Sequence, residues 1–155
     1  MSVTVGIDPG LHGAIALLDG PGMLVAVHDM PTVDKLVSAQ ELNLLEGWRI
    51  GDFGTVVIED VHSMPKQGVA SSFNFGVSKG IVIGVFAASN RPIRYVSPGK
   101  WKRALSLGAS KDAARRRAQE LWPEQAHLFS RVKDDGRAEA ALIAYWHLTC
   151  DRSFT

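Results

Sequence analysis

Residues 3–7 form a short β-branched run around Gly6 that stops at Asp8-Pro9-Gly10, which predicts a strand ending in a turn with Asp8 at its tip. Residues 13–18 are a second apolar run, Asp19-Gly20-Pro21-Gly22 is dense turn chemistry, and residues 23–27 form a third strand. Three strands joined this closely predict an antiparallel meander. Residues 38–48 carry Leu42, Leu45 and Trp48 at helical spacing before Gly51 and Gly54 break the pattern. Thr55-Val56-Val57-Ile58-Glu59 is apolar on both faces, as a central strand covered on both sides must be, and it ends in an acid. Over residues 71–88, Phe75, Lys79, Val82 and Phe86 recur with helical spacing, and Gly76, Gly80 and Gly84 form a stripe that permits close packing, against the sheet or against a facing backbone of a second chain. Residues 93–96 make a fifth strand. Ser97-Pro98 opens a short helix through Leu105, Ser110 caps another through Leu121, Pro123 ends it, and residues 135–148 form a last helix rich in alanine and leucine. This order predicts an α/β layer fold with a mixed sheet.

At 155 residues the chain, 1–155, is expected to be one domain, and 46% hydrophobic residues suffice for its core. No apolar run approaches the roughly 18–20 residues that span a bilayer, and the opening segment has neither a basic stretch nor a cleavage site, so a cytoplasmic, membrane-free protein is expected. The single cysteine, Cys150, forms no intrachain disulfide and is expected to be a small helix residue.

The 17 basic and 16 acidic residues nearly cancel, but they are segregated. Residues 1–60 hold nine acids against two bases, a net of −7, whereas residues 91–117 hold nine bases against Asp112 alone, a net of +8. The second block is either a phosphate-binding surface or a solvated basic helix.

Acids fall where a site could form: Asp8 and Glu59 at strand ends, Asp135 and Glu139 on the last helix. If the two strands are neighbours, Asp8 and Glu59 share one rim of the sheet. Asp135 and Glu139, spaced i,i+4, share one helical face. An Asp at a strand-to-turn junction also serves ordinary turns, and an i,i+4 acid pair also serves a solvated face. Four acids on a half-buried face repel one another unless a cation neutralises them, and all-oxygen ligation suits Mg²⁺ or Mn²⁺ rather than zinc. Two such ions about 3.5–4 Å apart could clamp an in-line phosphoryl displacement.

These residues resemble the RuvC-type Holliday junction resolvases of the RNase H-like superfamily, in a form like those of bacteriophages. Val5-Gly6-Ile7-Asp8-Pro9-Gly10 resembles the first-strand motif, Val57-Ile58-Glu59 the fourth-strand motif, and Asp135-Gly136-Arg137-Ala138-Glu139-Ala140-Ala141-Leu142-Ile143-Ala144 the C-terminal helix. The match is collinear from residue 3 to about 148. Two features depart from the bacterial pattern. The last two acids are spaced i,i+4 rather than i,i+3 with Asp134 as a competing neighbour, and His62 stands where an aromatic wedge is common.

The resemblance implies an RNase H-like fold with a mixed five-stranded sheet and helices on both faces. It implies a structure-selective endodeoxyribonuclease that resolves Holliday junctions by symmetric paired incision. Asp8, Glu59, Asp135 and Glu139 would be its catalytic and metal-ligating acids, with two Mg²⁺ or Mn²⁺ ions. The DNA-facing set it implies is His62, Lys66, Asn74, Lys79, Lys100, Lys102, Arg103 and Lys111. It further implies a homodimer with residues 71–88 near the two-fold axis, branched DNA as partner, and a bacterial or phage-infected bacterial cell as setting. Competing readings are a less selective flap or branched-DNA endonuclease and a non-catalytic junction-binding protein. A third is an actin-like ATPase-type phosphate-binding domain, whose phosphate-binding hairpin Asp8-Pro9-Gly10-Leu11-His12-Gly13-Ala14-Ile15-Ala16-Leu17 resembles, although such proteins enclose nucleotide between two domains.

Overall fold

The computed structural model describes residues 2–45, 53–62 and 65–151. Strands β1 (Val3–Asp8), β2 (Ala14–Leu18) and β3 (Leu24–Asp29) form the expected meander, antiparallel throughout. A two-residue hairpin follows, β4 (Thr32–Val33) and β5 (Leu36–Val37), turning on Asp34 and Lys35 with φ of 50° and 63°. Helix α1 (Ala39–Leu44) starts where Ser38 Oγ accepts from the Glu41 amide; Trp48, expected on its apolar face, lies outside the described residues. Then come β6 (Phe53–Glu59), α2 (Val69–Ala88), β7 (Ile93–Val96), α3 (Pro98–Ala104) and α4 (Ala113–Leu121). Two 3₁₀ segments, Pro123–Phe129 and Val132–Asp134, lead into α5 (Asp135–Thr149).

The main sheet runs β3-β2-β1-β6-β7, with β6 parallel to both β1 and β7. One face, through Val5, Ile7, Ile15, Leu17, Val56 and Ile58, packs with Leu42 of α1 and Val82 and Phe86 of α2. The other, through Ala14, Ala16, Leu18, Val57 and Val96, packs with Trp101, Ala114, Ala118 and the alanine-rich side of α5. The fold is α/β, a mixed five-stranded sheet with helices on both faces.

The closest approach is between α5 and the β1–β2 corner. A Cβ on Gly6 would run into the Ala140 carbonyl oxygen and the Ala144 amide, and one on Gly136 into the His12 carbonyl oxygen. Glycine is therefore required at Gly6 for α5 to lie directly on β1. Gly6→Ala is expected to destabilise the protein by about 3 kcal/mol, because the obstructing atoms are helix backbone and cannot rotate aside. Urea unfolding of the variant, read as a fall in midpoint at unchanged slope, checks this.

Three expectations are corrected. The glycine stripe does not face the sheet: a Cβ on Gly76, Gly80 or Gly84 meets nothing, and α2 packs through Ser78, Val82 and Phe86 instead. Helix α4 begins at Ala113, with Asp112 at the N-cap position, so Ser110 and Lys111 lie in the preceding turn; Ser110 Oγ accepts from the Asp112 amide. Cys150 is the residue after the last turn of α5, not within it. In addition, α2 at 20 residues and a mean hydropathy of 1.4 has the length and composition to cross a membrane, contrary to the expectation that no such run exists. Here its inner side lies on the sheet, and Lys79 at mid-helix donates to Asp60 Oδ1 and the Val61 carbonyl, both at 2.9 Å.

Candidate active site

The parallel register pairs Ile7 with Ile58, so the next residues, Asp8 and Glu59, leave adjacent strand ends on the face covered by α5. Asp8 Oδ1 accepts from the Gly10 amide at 3.3 Å, which ties the carboxylate to its own turn. Glu59 is buried, and its Oε1 accepts from the Trp101 indole N–H at 2.8 Å. Trp101 is wholly buried in α3, which follows directly from β7, the strand beside β6. Its ring packs in the core while its N–H holds the acid.

Helix α5 supplies the third wall. Glu139 Oε1 lies 2.7 Å from Lys102 Nζ. Burial raises the Asp8 carboxyl to about 6, and the negative charge of Glu139 adds to this. Burial also raises Glu59, to about 7, against the Trp101 hydrogen bond that lowers it, with Glu139 and Asp8 pushing it further up. Asp8, Glu59 and Glu139 thus form one electrostatic cluster, and Lys102 is the cation all three face. Burial works against the charge on Lys102, but the hydrogen bond and charge of Glu139, with Glu59 and Asp8 behind it, hold its pKa above the ordinary lysine value.

Asp134 and Asp135 play different parts. Asp134 is buried and accepts from the Arg131 amide at 2.8 Å and from the Arg131 guanidinium at 2.8 Å and 3.1 Å. Burial raises its pKa, yet these bonds outweigh burial and hold it below the ordinary value. Asp134 is thereby spent on fixing the approach to α5. Asp135 opens α5 half-exposed, with its Oδ1 3.0 Å from Arg115 Nε. It joins Glu139, Lys102 and Lys111 around a cavity of about 330 Å³.

Neither a protein-family model nor a curated protein sequence matches the chain. Solved structures do. "T. thermophilus RuvC in complex with Holliday junction substrate" superposes with a TM-score of 0.64 at 19% identity, over 95% of this chain and 92% of that one. "Thermus thermophilus RuvC structure" superposes equally well at 20% identity, over 94% and 92%. The fold is that of RuvC.

On this RuvC fold the four expected acids fall on one side of the sheet. Asp8, Glu59 and Glu139 interact with one another, while Asp135 sits beside Glu139 with Arg115 as its partner. Among the described residues, no group of three His, Cys, Asp or Glu side chains is gathered closely enough to hold a metal ion. In kind, the donors fit a hard divalent cation: all are carboxylate oxygens, and burial first, with the charge of Glu139 behind it, raises the proton affinity of Asp8 and Glu59.

The basic residues divide. Lys102 is inside the acid cluster, Lys111 shares its cavity, and exposed Arg103 lies on the same short helix as Lys102. Lys100 lies 5.3 Å from the centre of the Trp146 ring. Lys79 is engaged by Asp60 and Val61. His62 is exposed, 3.6 Å from Asp60. Lys66 is exposed with φ of 71°, and Asn74 lines a separate cavity of about 800 Å³ with His12 and Lys35.

Sequence reasoning missed Trp101 and Arg115. A tryptophan four residues after Ser97, amid lysines and arginine, was a usable signal: a buried indole N–H needs an acceptor, and a buried strand-end glutamate needs a donor.

Proposed function

We propose that the chain is a divalent-metal-dependent endodeoxyribonuclease that cuts four-way DNA junctions, working as a homodimer. One observation carries this: Asp8, Glu59 and Glu139 converge from two adjacent strand ends and a helix into a cluster with excess negative charge, bordered by lysines. The same fold in a solved RuvC holds a Holliday junction substrate.

Asp8, Glu59, Glu139 and Asp135 would hold Mg²⁺ or Mn²⁺, which when bound supplies Lewis-acid activation of the phosphodiester and charge neutralisation. The chain's own residues set the stage. Trp101 holds the rotamer of Glu59 by donating to one carboxylate oxygen, Oε1. Gly6 and Gly136 let α5 approach β1, so Glu139 faces Asp8 rather than solvent. Lys111 and Arg103 present positive charge on the same side for the DNA backbone, which positions the duplex without reading its sequence.

Neutralising Lys100, Arg103 and Lys111 together is expected to weaken binding to junctions of every sequence and to flatten its salt dependence, by about 0.9 in slope per lost contact. Fluorescence titrations at several salt concentrations check this, and an unchanged slope would place DNA elsewhere.

Two features support the dimer. Two symmetric cuts need two sets of acids, and the described residues form one. The outer side of α2 is apolar and open, with Val69 88% and Phe73 70% exposed, and the three glycines on it let a facing backbone come close. Sedimentation in Mg²⁺ buffer with junction DNA is expected to give two chains per junction. One chain per junction that still makes both cuts in one binding event would contradict the dimer.

A further inference from the structure

Lys102 stands in an unusual place for a DNA-facing lysine. Its ammonium lies 2.7 Å from Glu139 Oε1 and 5.2 Å from the centre of the Trp101 ring, while the same indole holds Glu59. Its backbone lies beside the buried Trp101, while the side chain, 40% exposed, reaches Glu139 on a four-carbon stem of the flexible lysine kind. The cavity it borders also contains Lys111, Asp135 and Glu139, so there is room beside the cluster for the ammonium to occupy.

We propose that Lys102 is a built-in counter-ion of the acid cluster, which a divalent cation must displace, so that cation binding hands the lysine over to the phosphate backbone of the substrate. This rests on the cation-site reading above and adds its regulation. Three neighbouring carboxylates cannot stay charged without compensation, and a single ammonium offsets one of them. A dication brings two charges to the same oxygens and repels the ammonium at this range, since partly buried charges are poorly screened. The lysine therefore competes with the cation in the free protein and stops competing only when it has left Glu139. Its direction of departure is the cavity shared with Lys111, the basic side on which the substrate phosphates are expected. The arrangement makes a free ammonium and an occupied cation site appear together.

The consequence runs against the ordinary expectation that losing an active-site residue weakens the site. Lys102→Met keeps the length of the side chain and removes the competitor. By calorimetry on the full chain without DNA, Lys102→Met is expected to bind Mn²⁺ about tenfold more tightly than the unsubstituted protein. Lys102→Arg, which keeps the charge, should bind within about twofold of it. Arg116→Met, on the exposed side of α4, makes the same change in net charge away from the cluster and should also leave Mn²⁺ affinity within about twofold. Thermal melts give a second readout: at pH 8 without metal, Lys102→Met should melt lower than the unsubstituted protein, and Mn²⁺ should raise its midpoint by more. Mn²⁺ affinity in Lys102→Met that is equal or weaker overturns the proposal, as does an equal gain in Arg116→Met. The two readings fail separately. Saturable Mn²⁺ binding that survives Glu59→Gln unchanged would sink the cation site itself, whereas binding lost in Glu59→Gln but not tightened in Lys102→Met would sink only the role of the lysine.

Discussion

Asp8→Asn is expected to lower DNA cleavage by about a thousandfold or more while leaving junction binding intact or tighter. The asparagine side-chain oxygen can still accept from the Gly10 amide, so the turn that aims residue 8 should persist. What is lost is a negative charge in a cluster where burial and Glu139 already raise the proton affinity of Asp8. Removing that charge takes away a ligand oxygen for a cation and also a repulsion toward the incoming phosphate. The two effects have opposite signs, on cleavage and on binding, and unfolding would lower both together. Nicking assays in Mg²⁺ beside gel shifts in EDTA separate them. Cleavage by Asp8→Asn at the unsubstituted rate would contradict the assignment.

The second large effect is on stability. Asp8 is raised from 3.8 to about 6 and Glu59 from 4.5 to about 7, so between these values the folded chain holds protons that the unfolded chain has released. Unfolding then releases protons, and stability must fall as pH rises. The loss begins near pH 4 and is complete above about pH 7, and it amounts to roughly 3 kcal/mol for a shift of about two units in one group. Asp134 acts in the opposite sense. Its lowered pKa gives stability that is present above the ordinary value and lost as pH falls through the lowered one, so its window lies at more acid pH. Metal-free protein should accordingly be most stable near pH 4 to 5 and weaker at pH 8. Glu59→Gln, which can still accept from Trp101, should flatten the decline, and saturating Mg²⁺ should reverse it at pH 8 by binding the folded state. Urea unfolding in EDTA at pH 5 and pH 8 measures this, and a metal-free protein more stable at pH 8 would contradict the burial of Asp8 and Glu59 that raises them.

Much of this was legible in the sequence, for identifiable reasons. Strands β1 and β6 are apolar runs that stop at an acid, so the acids and the elements announce each other. The parallel pairing that sets Asp8 beside Glu59 follows from placing both strands centrally in one sheet. The orientation of α2 was not legible because the helix is apolar nearly all round: Val82 and Phe86 face the sheet, yet Val69 and Phe73 face outward, and small glycines fit a packed face and an open one alike. The β4–β5 hairpin escaped because Asp34 and Lys35 take left-handed backbone angles without the glycine or asparagine that normally signals them. What separates the surroundings of Asp134 from those of Asp135 is Arg131, one helical turn upstream, whose amide and guanidinium both close on Asp134. The bond from Trp101 to Glu59 joins residues 42 apart, on elements whose contact only the fold creates.

The central claim is that the acid cluster cuts branched DNA with a divalent cation. It is tested most directly by incubating the protein with a synthetic four-way junction beside linear duplex and flap substrates of the same sequence, with and without Mg²⁺. The expected result is paired, symmetric incision of the junction in Mg²⁺, little cleavage of the duplex or flap, and none without metal. Equal cutting of all three substrates would make the protein a general branch nuclease, and an uncut junction in Mg²⁺ and in Mn²⁺ would contradict the claim outright.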